Sequence, residues 1–305
     1  MIYIGGRNVE QQIILIISCI VAIIPLIIWL VFGKEKEQLV ANYSHSMPNK
    51  IPPWQVDLLM TGKKRMSKNG LASIILELYT KKLLRIEKRR GKYYYLIQDI
   101  YDKKNISKKA LELITELRTY DLDEEDGWIV CRIPHESDAC IRFLKEFTSA
   151  GEVKTYQNNI RKKTGYELLL ITEITTFLFY FIIGPITIPA YQASLINTIP
   201  ALIYSAILPP TIFCRFKENY YKTYLEWHAF DLMLHDYAKI HEYLKEDHDK
   251  WQEWLVYATA LGSTKNLMKG LKELHVISLL THHEITLVEQ NDIITAYDRP
   301  KEKHF

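Results

Sequence analysis

The sequence has little of what special scaffolds require: 4 Cys, 12 Gly and 11 Pro in 305 residues. So few cysteines exclude a disulfide-stapled fold, and so little glycine and proline exclude collagen-like and low-complexity chains. No sign of charge prevails, with 39 Lys+Arg against 36 Asp+Glu. Motifs that announce common chemistries are missing as well. No Gly-x-Ser-x-Gly signals a hydrolase elbow, and neither a P-loop nor a GxGxxG signals a nucleotide. The acidic run Asp121, Asp123, Glu124, Glu125 and Asp126 lacks the alternating ligands, central glycine and distant glutamate of a calcium loop.

Long apolar runs are present, and the mean hydropathy of −0.11 hides them because the remainder is as charged as a soluble protein. From Ile13 to Phe32 twenty residues carry no charge, which at about 1.5 Å of rise each cover roughly the 30 Å hydrocarbon core. This predicts a transmembrane helix kinked at Pro25. A signal peptide fits less well: only Arg7 supplies a leading charge and no small-residue cleavage site follows Phe32. A second charge-free run, Ile174 to Cys214, predicts a helical hairpin with arms near 168–190 and 195–213 and a turn at Tyr191 to Ser194. Glu173, near the start of the first arm, reads as an interfacial carboxylate, with a transport role as the weaker alternative.

Basic flanks set the expected orientation. Arg161, Lys162 and Lys163 precede the hairpin, and Arg215, Lys217 and Lys222 follow it. Lys34 and Lys36 follow the first span. The positive-inside rule then places the N-terminus outside and both soluble regions in the cytoplasm of a multi-pass plasma-membrane protein. The expected layout is an extracytoplasmic 1–12, a span at 13–32, a winged-helix-like cytoplasmic domain at 33–165, a membrane hairpin at 166–214 and a helical cytoplasmic region at 215–305. Cys131 and Cys140 are expected as free thiols in a reducing compartment.

In the first region Trp54, Leu58 and Leu59, then Leu71, Ile74, Ile75 and Leu78, recur at helical spacing, with Asn69-Gly70 between them. Leu83 to Glu87, a polar turn over Lys88 to Lys92, and Tyr93 to Ile97 read as a β-hairpin. Helix, helix, hairpin is the order of a winged helix. Ser107 is placed as the N-cap of a further helix to Leu117. Charge here is segregated: residues 61–109 hold 15 Lys+Arg and 4 Asp+Glu, whereas 110–150 hold 4 and 10. Lys81, Lys82, Arg85, Lys88, Arg89, Arg90 and Lys92 are therefore the candidate binding residues, for phosphates of lipid or nucleic acid. DNA reading is disfavoured, because the presumed outer face of the preceding helix, Asn69, Ser73, Glu77 and Lys81, includes an acid.

In the second region the pattern is helical for some thirty residues beyond Arg215, then again over Trp251 to Leu261 and Thr264 to Leu274. Trp227, Trp251, Trp254 and Tyr257 are the candidate interaction residues. Ile285 to Thr295 is rich in β-branched residues with no evident partner, and Arg299 to Phe305 is expected to fray. His228, Asp231 and His235 share one helical face, but HExxH is absent and no cysteine is near, so the histidines read as exposed or interfacial and no metal is expected. Cys131 and Cys140 flank His135 at a spacing unlike that of zinc ligands.

Three features together resemble the domain-of-unknown-function 2207 family, the YciQ-like predicted membrane proteins. They are Pro52-Pro53 leading to Gly70-Leu71-Ala72 and the hairpin at Tyr93 to Leu96, the central two-span hairpin, and Trp254-Leu255-Val256-Tyr257-Ala258-Thr259-Ala260-Leu261-Gly262. The last is similar to the family's Y-A-x-A-L-G ending, with Trp227 and Phe230 in the helix before it. The resemblance implies architecture and membrane localisation and no catalytic residue. Family members commonly carry a signal peptide and a β-rich extracytoplasmic domain before the first span, where this sequence has about twelve residues, so any function of that domain is expected to be lost, split onto another chain or removed from this one. A Gly-rich tail is also missing.

The expectation is a mainly α membrane protein with three transmembrane helices, a winged-helix-like α+β cytoplasmic domain and a helical C-terminal region. No catalytic residues and no cofactors are expected. The leading function is a non-enzymatic scaffold or complex subunit with cytoplasmic docking modules, whose partners are membrane lipids and another protein or a second copy. The alternative is a membrane-tethered regulator that binds nucleic acid or anionic lipid through the basic hairpin.

Overall fold

A computed structural model describes residues 23–36, 38–41, 44, 46–98, 106–133, 138–183, 213–217, 219–236, 251–273 and 282–298. In chain order the elements are helix α1 (residues 23–33), α2 (Pro53–Thr61), α3 (Lys68–Thr80), β1 (Leu84–Arg89), β2 (Lys92–Gln98), α4 (Lys108–Arg118), β3 (Asp121–Glu125) and β4 (Trp128–Cys131). They continue with α5 (Asp138–Ser149), α6 (Glu152–Ile160), β5 (Arg161–Lys162), α7 (Thr164–Ile183), β6 (Arg215–Phe216), α8 (Tyr220–His235), α9 (Trp251–Leu261), α10 (Thr264–Glu273), α11 (His282–Gln290) and α12 (Asp292–Asp298). The chain forms two units, one from residues 1–38 and 158–221 and the other from 39–157 and 222–305.

In the first unit α1 packs on α7 around Ile28, Leu169 and Phe213, with Phe32 and Tyr166 against this core. Gly165 permits the approach: a Cβ there would lie 2.9 Å from that of Phe32 and closer still to the Phe213 carbonyl oxygen. The last turn of α1, Trp29–Gly33, is wound as a π-helix. Strands β5 and β6 pair antiparallel, Arg161 opposite Phe216 and Lys162 opposite Arg215.

The expected three transmembrane helices are not supported: among the described residues no helix is long and apolar enough to cross a membrane. Helix α7 starts at Thr164, carries Glu167 and Glu173, and ends at Ile183. Only residues 174–183 of the second charge-free run therefore lie in a described helix, about 15 Å of rise against roughly 30 Å of hydrocarbon. The remainder of that run, its turn and residues 13–22 of the first run lie outside the described residues.

The second unit is built around α3. Ser67 caps it, its hydroxyl accepting from the Asn69 and Gly70 amides, and every residue from Gly70 to Leu78 is buried. Helix α2 starts on Pro53 at its first turn and stops at Gly62, whose φ of 61° supplies the left-handed cap. Asp57 in α2 is 0% exposed and accepts from both the Ser67 amide, at 2.7 Å, and the Ser67 hydroxyl. Burial pushes its carboxyl up, while those two hydrogen bonds oppose the shift. Helix α9 packs on both α2 and α3. Its exit at Gly262, φ 83°, sits so close to Asn69 that a Cβ would lie 2.8 Å from the Nδ2 atom.

The winged-helix expectation is corrected as well. The helix–helix–hairpin order is present, but β2 also pairs with β4, and the hairpin belongs to a four-stranded antiparallel sheet of order β1-β2-β4-β3. The fold is thus helical with a small antiparallel sheet. The stretch Ile285 to Thr295, which had no evident partner in the sequence, forms most of α11 and the start of α12. Asn291 joins them, its Oδ1 capping the Ile293 and Ile294 amides, and Tyr95 of β2 donates to the same oxygen at 3.2 Å. Beyond His235 the expected long helix lies outside the described residues. Cys131 and Cys140 are free and buried, and burial pushes both thiols up to about 11.

The tightest contact in this unit is at Gly70, where a Cβ would lie 2.6 Å from Asp57 Oδ2 and 2.6 Å from Met66 Cγ. Gly70→Ala is expected to destabilise the second unit by about 1–3 kcal/mol through overpacking, despite the higher helix propensity of alanine. Thermal unfolding followed by circular dichroism checks this, and an unchanged or raised midpoint would remove the constraint.

Candidate functional site

The basic hairpin owes its shape to two backbone positions. Arg90 and Gly91 have φ of 51° and 80°, the paired left-handed conformations of a two-residue type I′ turn, and Gly91 takes the second at no steric cost. The ladder therefore continues to Arg89 opposite Lys92. The strands are longer, and the turn shorter, than the five-residue polar turn expected from sequence. Lys81 and Lys82 precede β1, and Lys82 takes a left-handed φ of 58° at the exit of α3.

Pairing splits the hairpin into two faces. On one, Leu84, Ile86, Tyr95 and Ile97 are buried. The other carries Arg85, Glu87, Arg89 and Tyr94 of the hairpin, with Trp128 and Glu125 from the neighbouring strands. Arg89 grips Glu125 with both terminal nitrogens, at 3.2 and 3.0 Å, and its Nε donates to Glu87 at 2.8 Å. Its guanidinium also lies 5.6 Å from the Tyr94 ring centroid, while that of Arg85 stands 4.5 Å over Trp128. Lys88 reaches the ring of Tyr93 at 4.9 Å.

Much of the expected positive charge is thus balanced within the fold. Lys81 pairs with Glu77 at 2.7 Å, whose other oxygen accepts from the Ser107 hydroxyl at 3.1 Å. Lys82, Arg90 and Lys92 remain exposed. The presumed outer face of α3 is not an outer face: Ser73 is 0% and Glu77 7% exposed. Helix α3, which directly precedes the hairpin, is not free to enter a DNA groove, because it is the hub of the core. Glu125 and Trp128, the residues that engage Arg89 and Arg85, were not among the sequence candidates. Their signal lay only in the acidic run, and strand pairing brings that run to the hairpin.

The aromatic candidates fall in the core. Trp227 and Trp254 are essentially inaccessible, and Trp251 and Tyr257 are buried. Trp227 packs on Tyr257 at 4.8 Å, and Phe230 lies edge-on to both tryptophans, 5.8 Å from Trp227 and 5.5 Å from Trp254. The Tyr257 hydroxyl donates to the Ile51 carbonyl at 2.8 Å. Two candidates from separate regions do meet: Lys81 and Tyr257 line one open cleft of about 300 Å³ with Glu77, Thr80, Gln252 and Glu253.

Among the described residues no group of three or more His, Cys, Asp or Glu side chains is placed to hold a metal ion. His228 packs against Tyr224, and His235 turns its Nδ1 to the Asp231 carbonyl at 2.9 Å, while Asp231 accepts from Ser263 at 2.7 Å. His135, His241 and His248 lie outside the described residues. A family model described as "Predicted membrane protein (DUF2207) C-terminal domain" matches residues 40–271. No curated protein and no solved structure matches the chain.

The Arg89 pair leaves a signature in titration. Its two hydrogen bonds and its charge hold the Glu125 carboxyl below the usual carboxylate range. A lowered carboxyl stabilises the fold above the ordinary carboxylate value, and that contribution is lost as pH falls through the lowered value. Carboxyl carbon NMR should therefore show Glu125 titrating below the ordinary glutamate value, and Arg89→Ala should raise its midpoint toward that value. Equal midpoints in both proteins would contradict the pairing.

Proposed function

This chain belongs to the DUF2207 family of predicted membrane proteins, and from that premise we propose that it is a non-enzymatic, membrane-associated docking subunit of a protein complex. The observation that carries this reading is strand β3. It lies at an edge of the sheet, all five of its residues are exposed, and Leu122 projects with 61% of its surface open. An edge strand offers a row of backbone donors and acceptors to a further strand. The carboxylates of Asp121, Asp123 and Glu124 favour a basic partner there and disfavour an acidic one.

A second reading, binding of anionic lipid or nucleic acid at the hairpin, is supported by the exposed Lys82, Arg90 and Lys92. It is the weaker of the two, because Arg89 and Lys81 are held by carboxylates.

For the first reading, the tagged full chain is extracted gently from native membranes with and without Asp123→Lys and Glu124→Lys. A stoichiometric partner is expected with the parent and should be reduced about tenfold or more with the double variant, whose melting should be nearly unchanged since surface substitutions cost within about 0.5 kcal/mol. A partner retained at full level, or none with either protein, would count against docking through β3. The hairpin reading requires affinity for duplex DNA or anionic vesicles that falls steeply with salt and falls again in the Lys82→Gln, Arg90→Gln, Lys92→Gln variant. Indifference to all three substitutions would remove it.

A further inference from the structure

The cleft between α3 and α9 is used by neither functional reading. Glu77 and Thr80 lie in the last turn of α3 and Lys81 caps it, while Gln252, Glu253, Val256 and Tyr257 line it from the first two turns of α9. Pro53, at the start of α2, completes the lining. At about 300 Å³ the cleft stands at the small end of the roughly 300–1,000 Å³ that ligand pockets occupy. Only a small molecule fits.

The lining carries charge of both signs. On the α3 wall the half-exposed Lys81 ammonium meets Glu77 Oε1 at 2.7 Å, and Glu77 Oε2 accepts from the Ser107 hydroxyl at 3.1 Å. A carboxylate offers about four acceptor positions, so the buried Glu77 retains capacity for another donor. On the α9 wall Glu253 is half-exposed and pairs at 3.4 Å with Lys50, a lysine that is largely in solvent. Such an exposed pair is weak and readily exchanged for another cation. The Tyr257 hydroxyl is committed to the Ile51 carbonyl at 2.8 Å. Burial pushes its phenol up, and the charges of Glu253 and Glu77 push it the same way, so both carboxylates act on this part of the cleft. Pro53 and Val256 add an apolar patch.

One ammonium, two carboxylates and an apolar patch in so small a space complement a molecule that is itself zwitterionic and partly apolar. A simple anion would face two carboxylates, and a simple cation would leave the Lys81 charge unanswered. We propose that the α3–α9 cleft binds a free α-amino acid with a short apolar side chain, its carboxylate on Lys81 and Gln252, its ammonium on Glu253 and Glu77, and its side chain against Pro53 and Val256. The ligand ammonium displaces Lys50 from Glu253. The ligand carboxylate shares the Lys81 ammonium with Glu77, as its three donors permit. Binding ties the end of the hub helix to the start of α9, and no bond is made or broken. The site is independent of β3 and of the hairpin tip.

The test is isothermal titration calorimetry on the full chain purified in detergent. Three probes of one carbon skeleton are compared: leucine, isopentylamine, which is leucine without its carboxylate, and isocaproate, which is leucine without its ammonium. Saturable binding of leucine is expected, about tenfold or more tighter than that of either truncated probe, since each loses a charge-assisted contact. Glu253→Gln should weaken leucine and leave isocaproate unchanged, and Lys81→Met should weaken leucine and leave isopentylamine unchanged. Circular dichroism melting matched to the parent shows that each variant is folded, and the probe series on the parent decides without any variant. No saturable binding of leucine would overturn the proposal. So would equal binding of isopentylamine, which would make the cleft a simple cation site, or equal binding of isocaproate, which would make it an anion site. Leucine affinity unchanged by both substitutions would also overturn it, by placing the amino acid elsewhere. Loss of the partner at β3 with leucine binding intact would fail the docking reading alone.

Discussion

The close contact of α2 with α3 at Asp57, Ser67 and Gly70 is the constraint on which the second unit depends. A buried carboxylate is costly unless its lone pairs are filled, and here one serine fills them with its amide and hydroxyl while its oxygen also caps α3. The absence of a side chain at Gly70 lets the two helices close over that carboxylate. With α2 fixed, α3 can be buried on every side from Gly70 to Leu78. The remaining layers are laid on it: α9 with its aromatic cluster, the sheet through β1, and α11 and α12.

Charge balance follows from the same arrangement. The basic segment 61–109 and the acidic segment 110–150 each look like an interaction surface when read along the chain. Folded, they are two halves of one sheet, and Arg89 at the end of β1 meets Glu125 at the end of β3. Exposed pairs of this kind contribute little stability, on the order of 0–1 kcal/mol. Their main consequence is to take Arg89, and Lys81 through Glu77, out of the pool available to an external anion. What stays exposed is a smaller cationic set at the hairpin tip and an acidic edge on the opposite side of the sheet.

Local signals in the sequence were read well. The Ser107 cap, the hairpin and the helix ending before Gly262 rest on rules that need only a few adjacent residues, whereas Asn69-Gly70, read as a break between helices, lies inside α3, which Ser67 caps. Long-range pairing was not legible. Nothing near Glu77 or Ser73 shows that α9 covers them, so the polar positions of α3 looked like an exposed face. The tryptophans of 227–254 looked like interface residues for the same reason, since an aromatic at helical spacing fits a core or a docking surface equally well. Ile285 to Thr295 had no partner legible in the sequence, because the elements it packs on, β1 and α5, lie more than 130 residues earlier in the chain. Runs without charge predicted spans because hydropathy counts residues, yet among the described residues no helix is long and apolar enough to cross a membrane.

The hydrogen bond of Tyr95 with Asn291 joins positions 196 residues apart, and the whole first-unit segment 158–221 is threaded between them. The ribosome therefore releases the sheet and its hub helix long before the elements that cover them. Until α11 and α12 emerge, β2 presents an uncapped tyrosine hydroxyl and an apolar face to whatever is nearby. The core of the second unit is therefore completed only after segment 158–221 of the first has been made.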